Sequence, residues 1–278
     1  MKQDIDRKIL NLLGEKHTLT VREAEARFGV SGVTVRRSFR RLAELGEVHR
    51  AHGKIEQLIR GMDPAFPFAL RMQWFTREKE ALARRTADLL AGCRSVFIDG
   101  GTTTAHLGMM LNDPELRIIT NSLALCDVIS RSRGDMESGP EVILTGGRVN
   151  RKSAILIGPE AEQTIDHFHA DAAVISGSAI DEYGLYDNME EAAAVQRRMI
   201  GNSDRVIIMA DASKFGMRKS SRVVPAEKLS LIVTNFVSEN YRIVREMRNK
   251  GVQFEFVRRP AADDAPRTEE NAPAKTTL

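Results

Sequence analysis

The sequence predicts two folded parts in tandem: a small helical head with a short two-stranded appendage, then an α/β body on a mostly parallel sheet. Three observations predict this. Apolar residues in the first 45 positions recur at helical spacing and are punctuated by helix caps. From residue 95 onward, short apolar runs alternate with loops and helical stripes. Charge divides the same way: of 41 Lys+Arg and 38 Asp+Glu, the first 61 residues hold 13 and 8, leaving a basic head on a slightly acidic body. With 278 residues, 42% of them hydrophobic and 28% charged, the chain can bury a sizeable core. No apolar run is long enough for a membrane span, and the opening residues lack the apolar stretch of a signal peptide. Two cysteines, Cys93 and Cys126, make no disulfide framework and fit a reducing, cytoplasmic setting.

In the head, Ile5, Ile9, Leu12 and Leu13 give a first helix, and His17-Thr18-Leu19 reads as a polar turn. Thr20 and Glu23 fit a capping box for a second helix, whose apolar side continues through Ala24 and Phe28 to a stop at Gly29. Val30-Ser31 caps a third helix from about Gly32 to Leu45, closed by Gly46. On it Val35, Phe39 and Leu42 share a dry face, while Val33, Arg37, Arg40, Arg41 and Glu44 project oppositely, flanked by Thr34 and Arg36. A dry face backed by arginines suits a DNA major groove, where arginine bonds phosphates or bridges the acceptors of a guanine edge. Ser31 and Thr34 sit where the helix N-terminus would meet a phosphate. Two short strands around His52-Gly53 would then bring Arg50, His52 and Lys54 to the DNA backbone or minor groove.

These residues carry a resemblance. Val30 through Arg37, Leu42, and Leu45 through Gly53 resemble the N-terminal DNA-binding domain of the DeoR family of bacterial transcription regulators, a winged helix-turn-helix. The likeness covers residues 1–57. Ser38-Phe39 stand where the family usually has Asp-Leu, which is expected to remove an acid near the DNA. Lys54 stands where a second glycine is usual, which is expected to change the wing tip.

Residues 58–77 read as a linker. Pro64 and Pro67 break any helix, and Phe68, Leu70, Met72, Trp74 and Phe75 form an apolar cluster expected to pack on the body or on a second subunit. A helix restarts at Thr76 with Leu82, Ala83, Ala87 and Leu90 as its stripe, ending near Gly92. The body, residues 78–258, then offers strands at 95–99, 116–120, 141–145, 172–176, 206–210 and 231–234, with helices beginning at Ala105 and Leu123. Phe168 reads as core, and His167 and His169 as solvated. No acids or cysteines stand near them at ligand spacing, so no metal or cofactor is expected. Residues 259–278 are rich in Ala, Pro, Asp and Glu and read as a disordered tail.

Ligands of parallel α/β sheets bind beyond the carboxyl ends of the strands, and here those ends carry chemistry. Asp99-Gly100-Gly101-Thr102-Thr103-Thr104 pairs glycines that let backbone approach closely with hydroxyls and a helix start, which suits an anion. It is neither a dinucleotide fingerprint nor a P-loop. Thr120-Asn121, Gly146-Gly147, Gly177 and Asp211 with Lys214 occupy further strand ends, Lys214 as a mobile cation. Together they read as a sugar-phosphate pocket. The segment from about Glu78 to Thr234 also resembles the sensor domain of the same family, related in fold to ribose-5-phosphate isomerase and glucosamine-6-phosphate deaminase. The matching pieces are Asp99 through Thr104, Thr120 through Ser122, Thr145 through Gly147, Gly184 through Tyr186, Glu190 through Ala192 and Ala210 through Phe215.

Asp99, Asp211, Glu190 and Lys214 could in principle serve a sugar-phosphate isomerase or deaminase with an appended DNA-binding domain. The basic head favours a regulator instead: a repressor of a carbohydrate-metabolism operon, released from double-stranded operator DNA by a phosphorylated sugar. Paired half-sites need paired heads, so a homo-oligomer, dimer or tetramer, is expected.

Overall fold

The computed structural model describes residues 5–6, 8–9, 12–13, 18–44, 48–51, 53–57, 68–73, 76–131, 139–235 and 240–257. His52 and the expected tail lie outside the described residues. The chain divides into two compact units, Met1–Arg60 and Gly61–Leu278.

In the first unit, residues 5, 6, 8, 9, 12 and 13 are helical. There follow strand β1 (Thr18–Thr20), helices α1 (Val21–Phe28) and α2 (Gly32–Glu44), and strands β2 (Val48–Ala51) and β3 (Lys54–Gln57). Thr20 Oγ1 accepts from Glu23 N and Glu23 Oε2 accepts from Thr20 N, so the capping box forms as read. Gly29 ends α1 at φ 64°, a left-handed conformation that costs a side-chain-bearing residue free energy. The strands pair antiparallel in the order β1-β3-β2. The residues read as a polar turn, Thr18-Leu19, are therefore part of a sheet: Leu19 is fully buried opposite Ile55. The core joins Ile9 and Leu13 to Val35, Phe39 and Leu42 of α2 and to Val48 and Ile55 of the hairpin.

The second unit starts before the helix the sequence places first. Phe68–Gln73, assigned above to a linker, forms helix α3, followed by α4 (Thr76–Leu89). Then come β4 (Ser95–Ile98), α5 (Thr102–Ala105), β5 (Arg117–Thr120), α6 (Leu123–Arg131), β6 (Glu141–Leu144), β7 (Arg148–Asn150), β8 (Ile155–Ile157) and α7 (Pro159–Asp166). The rest is β9 (Ala172–Ile175), β10 (Ala179–Asp181), β11 (Gly184–Asp187), α8 (Glu190–Gly201), β12 (Val206–Met209), β13 (Ser221–Pro225), β14 (Leu231–Asn235), α9 (Tyr241–Asn249) and β15 (Gln253–Val257).

Seven strands form a fully parallel sheet in the order β15-β14-β12-β9-β4-β5-β6. Its central strands, Val96-Phe97-Ile98, Ala172–Ile175 and Val206–Met209, are apolar throughout because helices cover both faces. Successive residues serve opposite cores. Phe97, Ala173, Ile175 and Ile208 pack toward α7, α8 and α9, while Val96, Ile98, Val174 and Ile207 pack toward α4 and α6. The edge strand β15 extends the sheet one strand beyond the series read from sequence. Strands β10, β11 and β13 build a separate antiparallel sheet, and β7–β8 a hairpin.

The strand order fixes where a site can form. From β4 the chain moves to β5 and β6 on one side; from β9 it moves to β12, β14 and β15 on the other. The order reverses between β4 and β9, and beyond their carboxyl ends a crevice is left between diverging connections.

Candidate functional site

On the first unit, α2 buries Val35, Ser38, Phe39 and Leu42 and exposes Val33, Thr34, Arg36, Arg37 and Arg40, with Ser31 exposed at its start. Ser31 Oγ accepts from Thr34 N at 3.4 Å, which caps the helix. Arg50 on β2 is exposed and Lys54 on β3 is half-buried. The hairpin turn is tied to α1 by Val21 N donating to Gly53 O at 2.9 Å. Arg41 departs from the expected set. Its Nε and Nη2 donate to the two carboxylate oxygens of Asp6, each at 2.6 Å, and Nη2 also to Ser38 Oγ at 3.2 Å. This bidentate clamp turns Arg41 toward the first helix, so it serves the core's edge rather than the open face. Ser38 is 1% exposed, so the acid missing at that position is not missing from the DNA-facing surface as expected above.

On the second unit, a cavity of about 310 Å³ opens at the reversal point, at the lower end of the range that holds small ligands, roughly 300–1,000 Å³. Of the residues read from sequence, Asp99, Gly100, Gly101, Thr102, Thr103, Gly177 and Lys214 line it. A Cβ on Gly101 would lie 2.6 Å from Ser176 Oγ, and one on Gly100 2.2 Å from Ile155 Cγ2, so only glycine lets the loop pass here. Thr104 and Thr120 are buried braces. Thr104 Oγ1 donates to Asp99 O at 2.7 Å and Thr120 Oγ1 to Ile98 O at 2.6 Å. Asn121 works from behind, its Oδ1 accepting from Gly100 N at 2.9 Å and its Nδ2 donating to Leu156 O.

Gly146, Gly147 and Asp211, expected at the site, stand elsewhere. Gly146 and Gly147, both at positive φ, form the turn between β6 and β7 and do not line the cavity. Asp211 does not line it either; its Oδ1 accepts from Ser213 N at 2.9 Å and from the Ser213 hydroxyl, shaping the turn that presents Lys214. Glu190 is exposed and pairs with Arg197.

The polar lining has two characters. Gln196 Nε2 donates to Asp99 Oδ2 at 2.8 Å and to Asp187 Oδ2 at 3.4 Å, while Ser178 Oγ donates to Asp187 Oδ2 at 3.0 Å. Burial, reinforced by the Asp187 charge, pushes the Asp99 carboxyl up to about 8, and burial raises Asp187 as well. Gln196 Oε1 is buried with no partner among the described residues, an acceptor awaiting a donor. The cations Arg71, Lys152 and Lys214 also line the cavity, and the Asp187 charge acts on Arg71 and Lys214. Burial lowers Lys214, and the neighbouring Arg71 charge lowers it further against the opposing pull of Asp211 and Asp187.

Sequence reasoning missed Arg71, Lys152, Asp187 and Gln196. Gln196 had a readable signal: it interrupts the face on which α8 buries Ala192, Ala193, Val195 and Met199. Arg71 had none, because its segment read as a linker. Among the described residues no His, Cys, Asp and Glu cluster could hold a metal ion, and no helix is long and apolar enough to cross a membrane.

Two family models match the chain: the DeoR-like helix-turn-helix domain over residues 6–58 and the DeoR C terminal sensor domain over residues 74–235. The chain belongs to the DeoR family. Its relatives include the transcriptional repressor AccR of Agrobacterium fabrum, 31% identical over 84% of this chain and 89% of that protein. The HTH-type transcriptional repressor GlcR of Bacillus subtilis is 28% identical over 82% and 86%. Among solved structures, ribose 5 phosphate isomerase A from Neisseria gonorrhoeae aligns over 50% of this chain and 53% of its own, at TM-score 0.35 and 12% identity, too distant a likeness to argue from. The named relatives are regulators, and this DeoR-family chain is a DNA-binding regulator rather than an enzyme.

Proposed function

We propose that this DeoR-family protein is a repressor of a carbohydrate-metabolism operon that a phosphorylated sugar releases from its operator. Residues 1–57 form the DNA-binding domain. Ser31, Val33, Thr34, Arg36, Arg37 and Arg40 of α2 and its approach meet the major groove, with Arg50, His52 and Lys54 at the adjoining backbone or minor groove. Two or more copies act together in the cytoplasm on paired half-sites.

The observation that carries the sensing half is the mixed lining of the cavity, cations together with carboxyl and amide groups. The open amides of Gly101, Thr102 and Thr103, at the start of α5, and the cations Lys152 and Lys214 suit a phosphate. Asp99, Asp187 and Gln196 suit the hydroxyls of a polyol: a carboxyl held up near pH 8 donates a hydrogen bond at neutral pH, and Gln196 Oε1 accepts one. Sugar binding weakens DNA binding only if the sugar prefers the DNA-free arrangement.

A thermal-shift screen tests this directly, since a ligand that binds only the folded state raises the melting temperature. Hexose and pentose phosphates are expected to raise it, and the unphosphorylated sugars to do so far less. Equal shifts from sugars with and without phosphate would count against an anion site.

A further inference from the structure

We infer that Arg71, on the short helix α3 near the start of the second unit, is a ligand-binding residue through which an anion in the cavity fastens that helix to the rest of the unit. This rests on the phosphate reading of the cavity given above and adds to it a residue and a consequence.

Residues 59–73 fall between the two family matches, which end at 58 and resume at 74. Yet Arg71 from this stretch lines the cavity beside the Gly100–Thr103 loop and Lys214. Its Nη2 donates to Lys152 O at 3.3 Å, but its Nε is buried with no partner among the described residues. A planar guanidinium in the cavity lining offers an oxyanion parallel hydrogen bonds from its fork.

The surrounding charge points the same way. Burial lowers Lys79 to about 7, with Lys214 and Arg71 lowering it further, and burial and the Arg71 charge lower Lys214. Asp211 offsets them in part, while Asp99 stays protonated at neutral pH. An anion placed between Arg71 and Lys214 would relieve that mutual repulsion.

The helix itself depends on these contacts. Six residues cannot sustain a helix in water alone. Helix α3 packs on α5 and is pinned where buried Lys79 Nζ donates to Arg71 O and where Arg71 reaches Lys152. A phosphate seated on the guanidinium would add a third fastening, at the first described helix of the second unit.

The test uses the full chain with inorganic phosphate and fructose 6-phosphate as probes. Affinity is read by calorimetry and the protection of Phe68–Gln73 amides by hydrogen exchange. Both probes are expected to bind the wild type and to slow exchange in Phe68–Gln73. Arg71→Ala is expected to weaken binding about tenfold or more, the scale of a lost charge-assisted hydrogen bond, and to abolish the added protection. Arg71→Lys, which keeps the charge and loses the fork, falls between them and decides the matter if the alanine variant does not fold. Wild-type affinity in Arg71→Ala, or binding with unchanged exchange in Phe68–Gln73, would overturn the inference while leaving the phosphate site standing. No binding of either probe to the wild type would remove the site and the inference together.

Discussion

Replacing Asp99 by Asn makes the buried carboxyl at the end of β4 permanently neutral while keeping its shape. In the folded chain burial and the Asp187 charge raise this carboxyl from 3.8 to about 8. Between those values the folded state keeps a proton that the unfolded state releases. Stability therefore falls as pH rises through that window and levels off above about 8. At about 1.36 kcal/mol per pH unit, the wild type loses about 2–3 kcal/mol from this group between pH 5 and pH 7. Asp99→Asn is free of that slope, and the other groups of the chain cancel in the difference. Urea denaturation of both proteins at pH 5, 6 and 7, without phosphate or sugar, should show the stability gap moving in the variant's favour by about 2–3 kcal/mol. Parallel pH profiles would refute the claim that Asp99 is held neutral, and with it the role of hydrogen-bond donor given to it.

Three further outcomes are expected. Arg37→Ala should weaken duplex binding and lower the slope of log affinity against log salt by about 0.9, the share of one phosphate contact, without altering sugar-phosphate binding. Arg41→Ala should cost the DNA-binding unit about 1.5–3 kcal/mol in denaturation, because Asp6 loses its bidentate partner, and should leave the salt slope unchanged. Gly101→Ala should destabilise the second unit and reduce the thermal response to sugar phosphates, since its Cβ would meet Ser176 Oγ at 2.6 Å; an undiminished response would show that the loop yields easily.

How much was legible in the sequence followed from how local each signal was. The parallel strands announce themselves: Val96-Phe97-Ile98 and Val206–Met209 are apolar at every position because both faces are covered. The capping box at Thr20 and Glu23 and the stop at Gly29 need only neighbours in sequence. Strand β1 escaped because a three-residue edge strand buries Leu19 alone. Strands β10 and β11 form a hairpin of short strands and β13 joins it from farther along the chain, which leaves little periodicity to read.

The cavity divides along the same line. Asp99 and the glycine-threonine loop were visible at a strand end. Asp187 and Gln196 reach Asp99 only through tertiary packing, from a strand and a helix nearly a hundred residues on. Arg41 and Ser38 show the converse: helical spacing put the guanidinium on the outer face, and the partner that turns it inward, Asp6, lies on another helix.

The most direct measurement takes a duplex selected from a random library by the full-length protein and follows its binding by fluorescence anisotropy at fixed salt. Sugar phosphates that raise the melting temperature are expected to weaken this binding, and Arg37→Ala to weaken it with or without them. Duplex affinity that stays constant across every sugar phosphate that binds would contradict coupling between the cavity and the arginine face.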